Sequence, residues 1–373
     1  MKPVQDLLID LIRIPSVSTS SNIPVIDYIV ETLDPKFWNL CRLPYRDTAG
    51  VPKQNLLATM NPDWDQPIEL ALVCHTDTVP YSEEWKEAVL PAVNEGKLFG
   101  RGACDVKGAL ACILRAALEI RSESRPIALV FTADEEIGCI GAKRLLAEKC
   151  ISPRFCIVSE PTQLRPVIGG KGYGLGEVVI HGTESHSALP DLGHSAIYDA
   201  ALFIDRVKGL AAQLEQEGNQ AFDPPFTTLN IGTIHGGTAK NIIPGECRML
   251  LEWRPIPGEA PDRIEREVTR ILADLKFADP GFAGAFRVLR NDPGFATDSN
   301  GKLVKLLEQI SGTSTTTVSF GTEAPYFKQL GAETVVLGPG DMTVAHRRDE
   351  HISLIELERA TDLLVRVVRE LCG

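Results

Sequence analysis

No stretch of this 373-residue sequence approaches the ~20 consecutive apolar residues that a membrane-spanning helix requires. The N-terminal MKPVQDLLIDLIRIP carries acids among its apolar positions and lacks the basic region and small-residue cleavage site of a signal peptide. It reads as an amphipathic helix, and a cytoplasmic location is expected. There is no HExxH, no GxSxG and no GxxxxGKS or GxxxxGKT, and the glycines of 169–176 do not complete GxGxxG. Those absences argue against a helix-borne zinc site, a serine nucleophile elbow, a phosphate loop and a dinucleotide turn. No CxxC occurs among the nine cysteines, their number is odd, and several lie in apolar strand-like runs. Reduced thiols fit this pattern, and Cys74 and Cys104 read as packing residues. Basic residues are in deficit, 38 against 50 acidic ones, and the net charge of −12 argues against nucleic acid or an anionic membrane surface as partner.

What remains is an ordinary globular composition, 44% hydrophobic and 24% charged. A chain of this length exceeds the roughly 250 to 300 residues at which single cores stop growing, so two domains are expected. No internal repeat or low-complexity tract is visible. IELALVCH (68–75), IALVFTAD (127–134) and RFCIVSE (154–160) are short apolar runs bounded by Pro and polar residues, as parallel strands buried on both faces should be. GALACILRAALEIR (108–121) and GAKRLLAEK (141–149) lie between them with helical composition and period. The layout is α/β, a mainly parallel sheet flanked by crossover helices.

After the Gly-rich GGKGYGLGE (169–177) the pattern changes to strand, helix, strand, strand, helix, strand, the βαββαβ order of a ferredoxin-like domain. Beyond Asn291 the α/β pattern resumes and ends in a helix opened by Ser353, with Glu356 at capping-box spacing. The expected division is therefore a catalytic domain of residues 1–172 and 291–373, with an inserted domain of residues 173–290.

Ligands of open α/β sheets bind outside the carboxyl ends of the strands. Three apolar runs lead there into His75, Glu135-Glu136 and Glu160, and ETVVLG leads through a loop to His346. GRGACDVKG (100–108) adds the carboxylate of Asp105. Histidine and carboxylate suit divalent zinc, cobalt or manganese, so these pieces read as a metal site. Adjacent glutamates on a regular strand would face opposite ways, so Glu135 and Glu136 are expected where the strand has already ended.

HTDTVP, GRGACDVKG, the DEE triplet, SEPT, GTEAP and the AHRRDE loop resemble the acetylornithine deacetylase, succinyl-diaminopimelate desuccinylase and aminoacylase family of di-metal hydrolases, over nearly the whole chain. The resemblance implies a di-zinc exopeptidase-like catalytic domain with an inserted lid and dimerisation domain, and two divalent ions, zinc first with cobalt or manganese as alternatives. It implies one ion held by His75, Asp105 and Glu160, a second held by Asp105, Glu136 and His346, and Asp105 as the bridge. Only the resemblance decides which of Glu135 and Glu136 binds metal; it makes Glu135 the general base. Asp77 is implied as the group that orients the His75 imidazole, with a turn cap as the plainer alternative. His186 is implied as an oxyanion donor acting across a homodimer interface. Asn241 and Arg254 are implied contacts for a substrate carboxylate and polar backbone, and the motif places Thr322 and Glu323 near the site. On charge alone, Glu323 is expected to face a cationic side chain, and Lys171 reads as a further anion contact or a hinge-region charge. The implied reaction is hydrolysis of an N-acyl amino acid, acetylornithine before acetylcitrulline, succinyl-diaminopimelate or a small peptide.

Overall fold

The computed structural model describes residues 1–61, 67–82, 84–121 and 124–373. The chain divides into two compact units. The first comprises Met1–Ile168, Thr297–Thr316 and Thr322–Gly373, and the second Gly169–Ala296 with Thr317–Gly321. The second unit is thus wider than the expected 173–290. The physical reason is pairing: Gly169 and Gly170 pair with Ala296 and Phe295, and the Lys171 N–H donates to the Val318 carbonyl.

In the first unit four parallel strands stand side by side in the order Ile127–Thr132, Ile68–His75, Pro153–Val158 and Glu333–Val336. Antiparallel pairing extends the sheet on both sides, by Pro52–Met60 and Asn39–Arg46 beyond the first of these and by Val167, opposite Val336, beyond the last. Ile68–His75 is buried along its entire length, which explains an apolar run without alternation. Helix Lys107–Ala117 is buried at ten of its eleven positions, because helices Val4–Arg13 and Leu354–Cys372 both pack on it. Each buried Leu, Ile or Val side chain in this layer contributes about 1.5 to 3 kcal/mol. All four parallel strands present their carboxyl ends on one edge, so the segments after His75, Thr132, Val158 and Val336 emerge together. Among the described residues no helix is long and apolar enough to cross a membrane.

One local expectation fails. Ser353 does sit at the N-cap of Leu354–Cys372, but its side chain makes no capping bond. The Glu356 carboxylate instead accepts the Gly340 N–H at 3.0 Å, so the acid holds the preceding loop rather than closing a capping box.

The second unit is a four-stranded antiparallel sheet ordered Thr228–Gly236, Glu246–Arg254, Tyr173–His181, Ala283–Asp292, the ferredoxin-like arrangement. Burial alternates along Tyr173–His181 and Glu246–Arg254. The inward set, including Val178, Ile180, Met249, Leu251 and Trp253, packs with Phe203 of helix Ala196–Leu214 and Val268 of helix Arg263–Ala278. Gly174 lies opposite Trp253, and a Cβ at Gly174 would stand 1.8 Å from the indole. Only glycine leaves room for that ring.

Candidate metal centre

His75 is the last residue of its strand. Its Nδ1 lies 3.0 Å from the carbonyl oxygen of Asp77, which can only accept, so Nδ1 carries the proton. In the neutral ring Nε2 is then left with its lone pair free. Nε2 lies 3.3 Å from Asp105 Oδ1, yet not in hydrogen-bonding geometry, and both atoms are buried without a partner. Asp105 Oδ2 lies 3.1 Å from His346 Nε2, which is 3.3 Å from Glu136 Oε1, a third buried atom lacking a partner. Two groups of potential ligands result, His75 with Asp105 and Glu160, and Asp105 with Glu136 and His346. Within each group the donor atoms lie within 4.8 Å of one another. A buried acceptor without a donor costs about 1 to 3 kcal/mol, and cations would remove that penalty at three atoms at once. The mixed His and carboxylate set therefore fits divalent ions.

The electrostatics point the same way. Burial lifts the Glu160 carboxyl well above its ordinary range, and Asp105 and Glu135 add to the effect. Burial likewise raises Glu135 and Glu136. Asp105 goes the opposite way: burial opposes its ionisation, but His346 and His75 outweigh burial and hold it below the usual carboxylate range. For His75 burial disfavours the charge, and Asp105, Glu135 and Asp77 overcome it to raise the pKa well above normal. The adjacent Asp105 and Glu136 carboxylates push His346 up to about 10. The same negative surroundings that raise the two imidazoles favour cations, which compete with protons for their nitrogens.

Glu135 and Glu136 reach the edge because their strand ends at Thr132 and Asp134 adopts a left-handed conformation with φ of 61°. Two buried carboxylates hold that turn. Asp134 accepts from Lys53 Nζ at 2.5 Å and from the Tyr45 hydroxyl at 2.9 Å. The Asp77 carboxylate accepts the main-chain N–H groups of Glu135 at 3.1 Å and Glu136 at 3.3 Å, and the Ser18 hydroxyl at 2.7 Å. Lys53 also donates to the Ser18 carbonyl, so both anchors are tied together. Both the carboxylate and the carbonyl of Asp77 lie near the His75 ring. That carboxylate stands 3.7 Å from Nδ1 and is engaged by the glutamate loop, while the Asp77 carbonyl holds the imidazole.

Asp105 is anchored by Glu350, which is completely buried. Glu350 Oε1 accepts the N–H groups of Cys104 and Asp105, both at 3.0 Å, and Oε2 accepts from Arg101 at 2.7 Å. Sequence reasoning passed over Glu350 and Asp134, although both lie inside the motifs AHRRDE and DEE. Lys53, Tyr45, Ser18 and Arg101 carried no signal that separates a buried partner from an ordinary surface residue.

Of the expected substrate residues, Thr322 and Glu323 belong to the first unit. The Thr322 hydroxyl oxygen accepts the Ala324 N–H, which opens helix Ala324–Gln329. Glu323 is buried; its Oε2 accepts from the Thr132 hydroxyl at 2.8 Å and its Oε1 has no partner. Burial raises its pKa to about 7. Lys171, His186, Asn241 and Arg254 belong to the second unit. There Lys171 is buried, with its ammonium donating to the Phe226 carbonyl at 2.7 Å. Arg254 pairs with Glu252 at 2.6 Å and stacks on Tyr173. His186 and Asn241 are exposed and adjacent: His186 pairs with Ile242 across two short strands, and the Ser187 N–H donates to the Asn241 carbonyl. His186 Nδ1 accepts the Ala188 N–H, so in the neutral ring Nε2 carries the proton. His194 is partly buried, with its Nε2 2.7 Å from the Asp199 carboxylate.

The profile described as Peptidase family M20/M25/M40 matches residues 71–370. An acetylornithine deacetylase from Myxococcus xanthus is 44% identical over 367 residues, covering 98% of this chain and 97% of that protein. A tripeptidase from Staphylococcus aureus shares the fold with a TM-score of 0.77 at 24% identity, covering 99% and 97% of the two chains. A dinuclear metal binding peptidase of the M20 family from Bacillus subtilis superposes with a TM-score of 0.70 at 16% identity, covering 99% and 97%. The chain therefore belongs to peptidase family M20/M25/M40 and is an amide-bond hydrolase with two groups of candidate metal ligands that share Asp105.

Proposed function

We propose that this hydrolase removes the acetyl group from an N-acetylated amino acid, N2-acetyl-L-ornithine first, yielding ornithine and acetate as a step of arginine biosynthesis. The observation that carries the reading is the pair of ligand groups sharing Asp105 with Glu135 beside them. The full-length similarity to an acetylornithine deacetylase supports the choice of substrate. In this reading His75, Asp105 and Glu160 hold one divalent ion, and Asp105, Glu136 and His346 hold the second, with zinc preferred to cobalt or manganese. Bound there, the ions polarise the amide carbonyl and make water acidic enough to deprotonate near neutral pH. The Glu135 carboxylate takes a proton from the attacking water and returns it to the departing amine. Asp77 keeps Glu135 in place through its main-chain N–H, and in the proposed homodimer the Nε2–H of His186 from the other copy of the chain donates to the developing oxyanion. Asn241 and Arg254 are assigned to the substrate carboxylate and polar backbone, Lys171 to a further anion contact, and Thr322 to a place near the substrate. Glu323, with one oxygen unpaired, is assigned to the ornithine ammonium.

A homodimer through the second unit belongs to the same proposal. Its support is the edge strand Thr228–Gly236 with exposed Ile234, beside the exposed Ile197, Tyr198 and Leu202 of helix Ala196–Leu214. Light scattering on the purified protein measures the oligomeric state.

The test of function is a panel of acetylornithine, acetylcitrulline, succinyl-diaminopimelate and a dipeptide on zinc-loaded protein. Acetylornithine should lead in kcat/KM by tenfold or more; a dipeptide or succinyl substrate in that position overturns the assignment. Glu323→Gln should erase the preference of acetylornithine over acetylcitrulline, and an unchanged ratio removes Glu323 from substrate recognition.

A further inference from the structure

Two proposed ligands of one ion, Asp105 and His346, come from segments some 240 residues apart in the chain, and neither sits on a regular element. Strand His351–Ser353 begins five residues after His346 and pairs antiparallel with Lys97–Phe99, with His351 opposite Phe99. The Gly100 N–H donates to the Glu350 carbonyl at 3.1 Å, which continues that register by main chain alone. At this point the Glu350 side chain turns back under the Asp105 turn. One of its oxygens receives two consecutive N–H groups, from Cys104 and Asp105, and the other receives Arg101. Arg101 is itself buried and stacked on Trp85, with its guanidinium carbon 4.8 Å from the ring centre. A fully buried, charged carboxylate of this kind is costly unless its partners are fixed, so the arrangement is rigid on both sides.

We propose that Glu350 is a positioning residue for metal binding: it fixes the main chain of Asp105 against the loop bearing His346 and so sets the affinity of the ion position these two share. The inference rests on the reading of Asp105 and His346 as ligands. Glu350 does not face the ion itself, because both its oxygens are engaged. Its contribution is to hold the Asp105 turn before an ion arrives, so that binding does not have to order that turn.

Two variants separate reach from charge. Glu350→Asp keeps the charge that Arg101 needs but withdraws the carboxylate by one methylene; Glu350→Gln keeps a weaker acceptor oxygen for the Cys104 and Asp105 amides but turns its NH2, a donor, toward Arg101. Zinc affinity is read by competition with a chromophoric chelator, and folding by thermal melting of the metal-free protein. Loss of such an outer contact costs about 10- to 100-fold in affinity, and Glu350→Asp should fall in this range, with Glu350→Gln lower by less. A folded variant of either kind that binds two zinc ions like the wild type overturns the proposal. So does one whose only change is a lower melting temperature without metal. Asp105→Ala in the same assay separates the layers: if it still binds two ions normally, the ligand reading fails first. Hydrogen exchange on the unmodified, metal-free protein needs no variant. The Cys104 and Asp105 amides should already be protected, and free exchange until zinc is added refutes a preformed turn.

Discussion

Lys53→Met tests how the Glu135–Glu136 turn is held. Lys53 and Asp134 are both fully enclosed, with side-chain exposures of 1% and 0%. Burial outweighs Lys53 and Tyr45 at Asp134 and leaves its pKa above the ordinary value, so the pair has not recovered its desolvation cost. Removing one partner is a different matter from never having had the pair. Methionine leaves Asp134 with Tyr45 alone, and the loss of a buried partner costs about 3 to 5 kcal/mol. For a unit of this size about 2 to 4 °C of melting temperature corresponds to each kcal/mol, so a drop of roughly 10 °C is expected. The double variant Lys53→Met with Asp134→Asn should recover most of it. Asparagine tolerates the left-handed backbone at position 134, and a neutral pair has little charge to desolvate. Differential scanning calorimetry on the wild type, both single variants and the double variant gives the coupling. A melting temperature within about 2 °C of wild type for Lys53→Met refutes the reasoning, as does a double variant no more stable than the single one.

Four further outcomes follow from the same geometry. Glu135→Gln should retain two zinc ions by metal analysis while kcat falls by about 10² to 10⁴; retained turnover removes Glu135 as the base. Metal and protons compete for Nε2 of His75 and His346, whose pKa values lie well above normal and at about 10, so zinc binding at pH 7 should release protons, and affinity should fall as the pH is lowered. Titration calorimetry in buffers of different ionisation enthalpy counts those protons. In the metal-free protein Glu323 holds its proton up to about pH 7, against about 4.3 when unfolded, so the folded state binds more protons between these values and loses about 4 kcal/mol as the pH rises through them. Glu323→Gln lacks that slope, and parallel stability curves from pH 4.5 to 8 would contradict the burial of its charge. Gly174→Ala forces the Trp253 ring to move and should cost the second unit about 1 to 3 kcal/mol, read from near-ultraviolet circular dichroism melts.

The parallel strands were legible because burial on both faces removes alternation from IELALVC and IALVFT, and the inserted domain because its strands alternate instead. The capping box was legible and misleading: Ser353 and Glu356 have the spacing, but a nearby loop amide at Gly340 competes for the same carboxylate. Asp77 was placed next to the right histidine for an incomplete reason. A two-residue separation brings its own carbonyl to the imidazole, whereas the partners of its carboxylate, Ser18, Glu135 and Glu136, are remote in the sequence.

By itself the sequence determined the order of elements, the edge of the sheet to which each strand leads, and the chemical character of the groups waiting there. These follow from local periodicity and from the direction of parallel strands, which short segments encode on their own. Tertiary structure decided which oxygen and nitrogen atoms remain buried without partners, that Asp105 stands within reach of both histidines, and that Lys53, Arg101 and Glu350 are interior charges rather than surface ones. The reason is that the cost of burying a polar atom depends on what lies across from it, and here those partners come from segments up to about 250 residues away.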